Sequence, residues 1–515
     1  MIKLNLTGTI EIDGVVHNID WTIQPPVTAP VEPAPEPTPE PEPQPQPEPE
    51  PQPEPTPEPP APNPLPSPVG NPLALAFGLN IDGQADWGRG IVYTDLAMTR
   101  REWVGYNWGP VNGPNEIHRA ILPSGQGVYH IEVSDPGVRI NQVHNVEGDA
   151  VIDWDPETRQ VTLKPDAIWG IEFDREPGYF SILPVDWRKD HKFNPHLVDA
   201  IKALGPKVGR CMDLGQTNNN SATWATRTLP SDRYFRDHGM AWEDMLEFCE
   251  AIEVTPWLCV PHTYSFEDMQ DFATLIADYG RPVIVEHSNE VWNAMFRQHR
   301  EVAQQARDAG WSGQEWELAR DFHAYKTGQL GKLLAEAGAE AYVVLGEQQG
   351  QAWWVSRVLG VLSDNGLLEY VDAVGVAPYF GHNRMIGPGT NFDAEFEVLG
   401  GLVEEMNQGV QEVKERCDSF GVDLVAYEGG QHLHPTSNSP EDLEAFRRLL
   451  NDPRMGELYK TSYQDWRSAG GLYCAFTFVN RITQHGGWGV LESLHEDPNA
   501  SPRYLAYEWA VENFG

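Results

Sequence analysis

Positive charge is scarce in this 515-residue chain: 36 Lys and Arg stand against 76 Asp and Glu, a formal charge of −40. A surface of that sign repels nucleic acid and anionic membranes, so neither is expected as a partner. Cysteine is scarce too. Cys211, Cys249, Cys259, Cys417 and Cys474 form no CxxC or Cys/His metal spacing and sit mostly in apolar runs, so they read as buried free thiols. No apolar run approaches the roughly 18 to 20 residues of a membrane span, and membrane insertion is not expected. The N-terminus also lacks the basic region and continuous apolar stretch of a signal peptide.

Aromatics, by contrast, are plentiful. The 18 Trp, 17 Tyr and 18 Phe suit a large core, with some left over to stack on sugar rings. Apolar residues alternate at the start of the chain, at Ile2, Leu4 and Leu6, then Ile10 and Ile12, then Val16, Ile19, Trp21 and Ile23. With Asp13-Gly14 as a turn signal, residues 1–24 are expected to form two or three short strands. From 25 to 72 proline takes nearly every second position and no basic residue occurs. That composition predicts a stiff polyproline spacer, able to span on the order of 100 Å or more when extended. A strand segment this small is marginal alone, so it is expected to bind itself or a larger assembly such as a virion.

The third region, 73–515, is punctuated differently. Between 207 and 478 seven apolar strand candidates alternate with helical patterns: "KVGRCMDL", "VTPWLCVPH", "RPVIVEHSNE", "AYVVLGEQQ", "VDAVGVAPYF", "VDLVAYEGG" and "LYCAFTF". Continuous apolar strands buried on both faces belong to parallel sheets. Helix start signals stand between them, as at Ser265 to Asp268 and Ser439 to Asp442. Seven such units leave a closed (β/α)8 TIM barrel one strand short, and the best eighth is "LALAFGLN", residues 73–80. An alternative is "YFSILPV". The preferred choice makes "IVYTDLAMTRREW" the helix that follows, and 104–188 an inserted antiparallel β-sandwich of short strands.

In such a barrel the site lies at the C-terminal strand ends. Those positions hold Asn80, Arg210, Asp213, His262, Asn289, Glu290, Glu347, Gln348, Tyr379, Glu428 and Asn480, with Trp488 nearby. Glu290 and Glu428 each follow an apolar run directly. A pair of carboxyls about 5 to 5.5 Å apart is what glycosidic cleavage with retention requires, one as acid and one as nucleophile. Arg210 and Tyr379 are placed to keep a nucleophile ionised. Each residue also has an ordinary reading. Glu290 could favour a helix start beginning at Ser288 or Asn289, His262 could be structural, and Asp213 with "QTNNN" could bond loop backbone. Trp292, Trp353, Trp354 and Trp488 could each be core. Gly429 and Gly430, beside Glu428, could form a turn or admit a substrate closely.

The Asn-Glu pair after strand four and the glutamate after strand seven resemble the retaining glycoside hydrolases of clan A. More closely, "RCMDLGQTNNN", "TPWLCVPH", "EHSNEVWN", "APYFG", "AYEGGQH" and "DPRMGELY" are similar to bacterial secreted proteins labelled cellulose-binding. The resemblance runs from about residue 75 to the C-terminus. It implies Glu290 as acid/base and Glu428 as nucleophile, with no metal or organic cofactor. Asn289 would bond the sugar 2-hydroxyl, Tyr379 and Arg210 would orient Glu428, and His262, Asp213 and Trp292 would line the site. The sequence departs from that pattern at His287, where tyrosine is usual, and at Leu214, where tryptophan is usual. It departs again at Phe476 and Phe478, leaving Trp488 as a substitute platform. The expected function is a retaining glycosidase acting on a polysaccharide, extracellular or on a virion surface. The alternative is a non-catalytic carbohydrate-binding or receptor-binding protein on the same barrel.

Overall fold

The computed structural model describes residues 77–85, 88–100, 103–105, 110–111, 113–186, 191–232 and 238–514, and the backbone of 5–12 and 15–22. The expected spacer, the Asp13-Gly14 turn and any third strand near Ile23 lie outside the described residues. Contacts divide the chain into two units, 1–67 and 68–515. In the first, Asn5–Ile12 and Val15–Thr22 pair antiparallel, with Ile12 opposite Val15.

Eight parallel strands close a barrel in the second unit. In order they are Phe77–Asn80, Val208–Arg210, Thr255–Val260, Val283–His287, Ala341–Gly346, Ala373–Val376, Asp423–Ala426 and Tyr473–Ala475. The last pairs back onto the first through Tyr473 opposite Phe77. All seven strands expected between 207 and 478 are present, and the eighth, Phe77–Asn80, lies within the expected 73–80. "YFSILPV" instead supplies Phe180–Pro184 to an antiparallel sheet. At Ser265 and Ser439 helices between strands begin where the sequence signals them. Ser265 Oγ accepts from Asp268 N at 3.1 Å while Asp268 Oδ2 accepts from Ser265 N at 2.8 Å. Such a reciprocal cap holds Phe266–Tyr279 by about 1 kcal/mol.

"IVYTDLAMTRREW" is not an α-helix. Among its described residues only Leu96–Thr99 is helical, as a short 3-10 turn. The cause is that the segment serves two cores at once. Val92, Tyr93 and Met98 pack with the barrel's helices, whereas Ile91, Leu96 and Ala97 pack into the insertion. Asp95 Oδ1 accepts from Ala97 N at 3.0 Å and from Ile182 N at 2.8 Å, pinning the turn to the inserted sheet. One helical face could not satisfy both sides. The first α-helix after the first strand is therefore Pro195–Leu204, beyond the insertion.

The insertion has two antiparallel sheets. One joins His118–Pro123, Ile168–Phe173 and Ile140–Glu147; the other joins Phe180–Pro184, Gly127–Val133, Gln160–Leu163 and Val151–Asp155. Their inner faces share a core that includes Leu122, Ile131, Val161, Trp169, Phe173 and Ile182. Trp169 is fully buried and donates to Pro123 O at 2.9 Å. Truncating it to Ala would cost about 3 to 5 kcal/mol. The sandwich is tied to the loop after the eighth strand: Arg481 pairs with Glu147, and Ser493 Oγ donates to Asp166 at 2.7 Å. All five cysteines are free and buried. Among the described residues no helix is long and apolar enough to cross a membrane.

Candidate active site

Alternation along the fourth strand sets the site. Successive residues of a strand face opposite sides. Ile284 packs inside the barrel, and Val283 and Val285 pack outward against helices. Glu286 has the inward parity of Ile284, and its Oε2 accepts from Arg210 Nε at 3.1 Å, Arg210 Nη2 at 3.0 Å and Trp257 Nε1 at 3.0 Å. His287 points outward, its Nδ1 lying 2.9 Å from Nδ1 of His323 on the helix Glu315–Ala337. Burial holds both imidazoles in the neutral form, His323 down to about 3 and His287 well below its ordinary value. The departure at His287 therefore concerns strand-to-helix packing and does not touch the carboxylates.

No helix starts at Ser288 or Asn289. Ser288 and Glu290 both adopt left-handed backbone, with φ of +62° and +43°. That conformation is costly for any residue but glycine and cannot open a right-handed helix. The turn is held by Gln298 Nε2 donating to Asn289 O at 2.8 Å and by Asn293 N donating to Glu290 O at 2.9 Å. The helix begins later, at Arg297. Glu290 is thus held by a strained turn and has no capping task.

Arg210, on the second strand, is the hub. Fully buried, it spends its donors on Glu286, Asn80 Oδ1 at 3.0 Å, Asn289 Oδ1 at 2.8 Å and Glu428 Oε1 at 2.7 Å. Burial alone would lower its pKa. The carboxylates of Glu286 and Glu428 outweigh that and raise it well above the ordinary value. The other oxygen of Glu428 accepts from the Tyr379 hydroxyl at 3.0 Å. Burial, and then the charge of Glu428, keep that phenol protonated. A cation and a hydroxyl donor both stabilise an anionic carboxylate.

Glu290 has different neighbours. Its Oε2 accepts from Asn293 Nδ2 at 2.9 Å and its Oε1 from the Tyr427 hydroxyl at 3.3 Å; Tyr427 in turn accepts from Trp292 Nε1 at 3.3 Å. Burial raises the Glu290 carboxyl to about 8, helped by the nearby charge of Glu428 and opposed by these hydrogen bonds. Two further carboxyls follow the same logic. Asp213 is pushed up to about 7 by burial and by Glu428, and Asp82 to about 8 by burial and by Asp213.

The structure therefore brings Arg210, Asn289, Tyr379 and Glu428 into one hydrogen-bonded group, with Glu290 and Trp292 in a second group beside it and Asp213 within electrostatic reach. His262 belongs to neither. Its Nε2 lies 2.7 Å from Glu301 Oε2, on the helix Arg297–Asp308. Trp488 joins an aromatic group instead: its ring centroid is 6.2 Å from Phe476, and Phe476 is 6.5 Å from Tyr379. Gly429 and Gly430 do not open the site to substrate. A Cβ on Gly429 would collide with the Tyr473 hydroxyl, and one on Gly430 would meet the Tyr459 hydroxyl at 2.9 Å. Sequence reasoning missed Glu286, Tyr427, Trp257 and Asn293. Glu286 had a signal, a lone charge inside "PVIVEH" at inward parity. Among the described residues no three His, Cys, Asp or Glu side chains are grouped to hold a metal ion.

No protein-family model matches the sequence, and no curated protein matches it. Solved structures do. A GH51 arabinofuranosidase from Xanthomonas axonopodis pv. citri matches at TM-score 0.40 and 14% identity, over 58% of this chain and 63% of that one. A family 51 alpha-L-arabinofuranosidase from Bifidobacterium longum matches at 0.41 and 13%, over 61% and 66%. Xylanase 10B from Thermotoga petrophila matches at 0.35 and 13%, over 61% and 88%. The matched part spans less than two thirds of the length of the first two.

Proposed function

We propose that this protein is a retaining glycoside hydrolase of the two-glutamate type, acting on a polysaccharide. The observation that carries the reading is the different surroundings of two carboxyls close enough to interact by charge. Glu428 is bonded to a buried guanidinium and a phenol, whereas Glu290 is held protonated to about 8. In the first step Glu428 attacks the anomeric carbon as the carboxylic acid of Glu290 gives its proton to the departing oxygen. The glycosidic C–O bond breaks and a glycosyl ester on Glu428 forms. Glu290, now ionised, takes a proton from water; that water attacks the same carbon and frees Glu428. The raised pKa of Glu290 keeps the acid form populated near neutral pH. Arg210 fixes Glu428 and Asn289 together, which supports Asn289 as the group facing the sugar 2-hydroxyl. Trp292, Asp213 and Trp488 are proposed to line the sugar site, whereas the Glu301 pairing favours a structural role for His262.

The test is a panel of polysaccharides incubated with wild type and with Glu428→Gln. Cleavage by wild type alone is the expected result. Binding without turnover by either protein would favour the carbohydrate-binding alternative. The proposal extends to display on a virion or other extracellular particle, motivated by the N-terminal hairpin and the proline-rich composition of 25–72. Mass spectrometry that finds the purified protein monomeric, and absent from particles, would remove that part.

A further inference from the structure

On the side of Glu290, an exposed aromatic side chain stands in solvent where core packing does not need it. Trp353 is 57% exposed, in the first turn of the helix Ala352–Asp364 that follows the fifth barrel strand. Topology puts that turn at the C-terminal mouth of the barrel. Single exposed apolar residues are ordinary, but this one is mounted rigidly. Its ring stacks on Trp354 with centroids 4.1 Å apart and planes 30° apart. Trp354 is buried, with the Arg320 guanidinium 4.3 Å from its ring and Arg357 at 5.5 Å. Arg320 donates to Glu347 at 2.8 Å and lies within electrostatic reach of Tyr427, whose hydroxyl bonds Glu290.

We propose that Trp353, fixed by Trp354, is a stacking platform for carbohydrate on the leaving-group side of the two glutamates. Its ligand is the part of a neutral polysaccharide that departs from the cleaved bond. The inference rests on the two-glutamate reading, in which the leaving oxygen sits beside Glu290. A flat, immobile indole offers a large face to the C–H surface of a sugar ring at little entropic cost. Neutrality follows from charge. Arg320 is paired with Glu347, Arg357 is paired with Glu317 at 3.0 Å and Asp321 at 2.7 Å, and the chain carries −40 overall. Neither arginine has charge left for an anionic sugar.

The experiment uses the full chain, with Trp353→Ala and Trp353→Phe, on mixed-linkage β-glucan, arabinoxylan and glucomannan and on the 4-nitrophenyl glycosides of their sugars. For Trp353→Ala the ratio of kcat/KM on the cleaved polymer to kcat/KM on the glycoside is expected to fall about tenfold. Trp353→Phe restores most of it. An unchanged ratio overturns the inference. Gels cast with the same polymers separate this outcome from failure of the hydrolase reading. A wild type that is inactive but retarded, with retardation lost in Trp353→Ala, keeps the platform and discards the hydrolase. Equal retardation of both proteins, or no retardation and no turnover with any polymer, discards the platform.

Discussion

Glu428 and Glu290 are the same side chain in two surroundings close enough for the charge of one to act on the other. Around Glu428 the barrel interior supplies a fully buried arginine and a phenol, both donors. Around Glu290 it supplies a carboxamide, a more distant phenol and the negative charge of Glu428 itself. The lesson is that the partners set the two apart: burial and the charge of Glu428 push the Glu290 carboxyl up to about 8, while Glu428 takes its hydrogen bonds from Arg210 and Tyr379. Arg210 is the asymmetric element. It is pinned by Glu286 and Asn80, and so cannot swing towards Glu290.

Four substitutions break or sharpen this contrast. Glu428→Gln removes the attacking oxygen, and kcat on the best polysaccharide is expected to fall on the order of 10⁴-fold or more. Glu290→Gln removes the proton donor, with a loss of about 10² to 10⁴-fold on natural linkages. A 4-nitrophenyl leaving group needs no proton and should recover much of that loss. In wild type the acid form disappears as pH rises through about 8, so kcat/KM should show an alkaline limb there. The limb should be missing from Glu290→Gln on the activated substrate.

The same group bears on stability. Its folded pKa is raised above the ordinary value of 4.5, so its contribution is complete below about 4.5 and is lost as pH rises through about 8. Urea midpoints of Glu290→Gln, compared with wild type from pH 4 to 9, should diverge in favour of the variant towards high pH. Arg210→Met leaves Glu286 and Glu428 buried without a cation, and should lower unfolding free energy by about 3 to 5 kcal/mol. The smallest effect is expected from Tyr427→Phe. It removes one hydrogen bond that lowers the Glu290 pKa, costing about 1 kcal/mol, and moves the alkaline limb upward. A downward movement would contradict the assignment of Tyr427 as a donor to Glu290.

Much of the barrel was legible because continuous apolar runs ending in polar residues mark its strands, and Glu290, Glu428, Arg210, Tyr379 and Asn289 stood at those ends. The structure joins these residues through hydrogen bonds at 2.7 to 3.3 Å or through charge. What was hidden depends on neighbours far along the chain. "IVYTDLAMTRREW" carries a helical pattern, yet two cores divide its apolar residues between them. "SNEVWN" looks like a helix start, yet Ser288 and Glu290 are left-handed. Tyr427 read as one more apolar residue of its strand, since nothing local reveals that its hydroxyl meets a glutamate from strand four. His262 stood at a strand end like the others, and its turn towards Glu301 depends on a helix nearly forty residues later in the chain.

The inserted sandwich bears on the order in which this chain assembles. Its seven strands all lie between 118 and 184, so they find partners soon after they are made. The first barrel strand has no such luck: its second neighbour, Tyr473–Ala475, and the Tyr507 hydroxyl that donates to Gly78 O at 2.7 Å lie far later in the chain. The bonds from Glu147 and Asp166 to Arg481 and Ser493 lie across that late seam. Ring closure therefore waits for the eighth strand, and a chain stopped before residue 473 leaves two bare sheet edges.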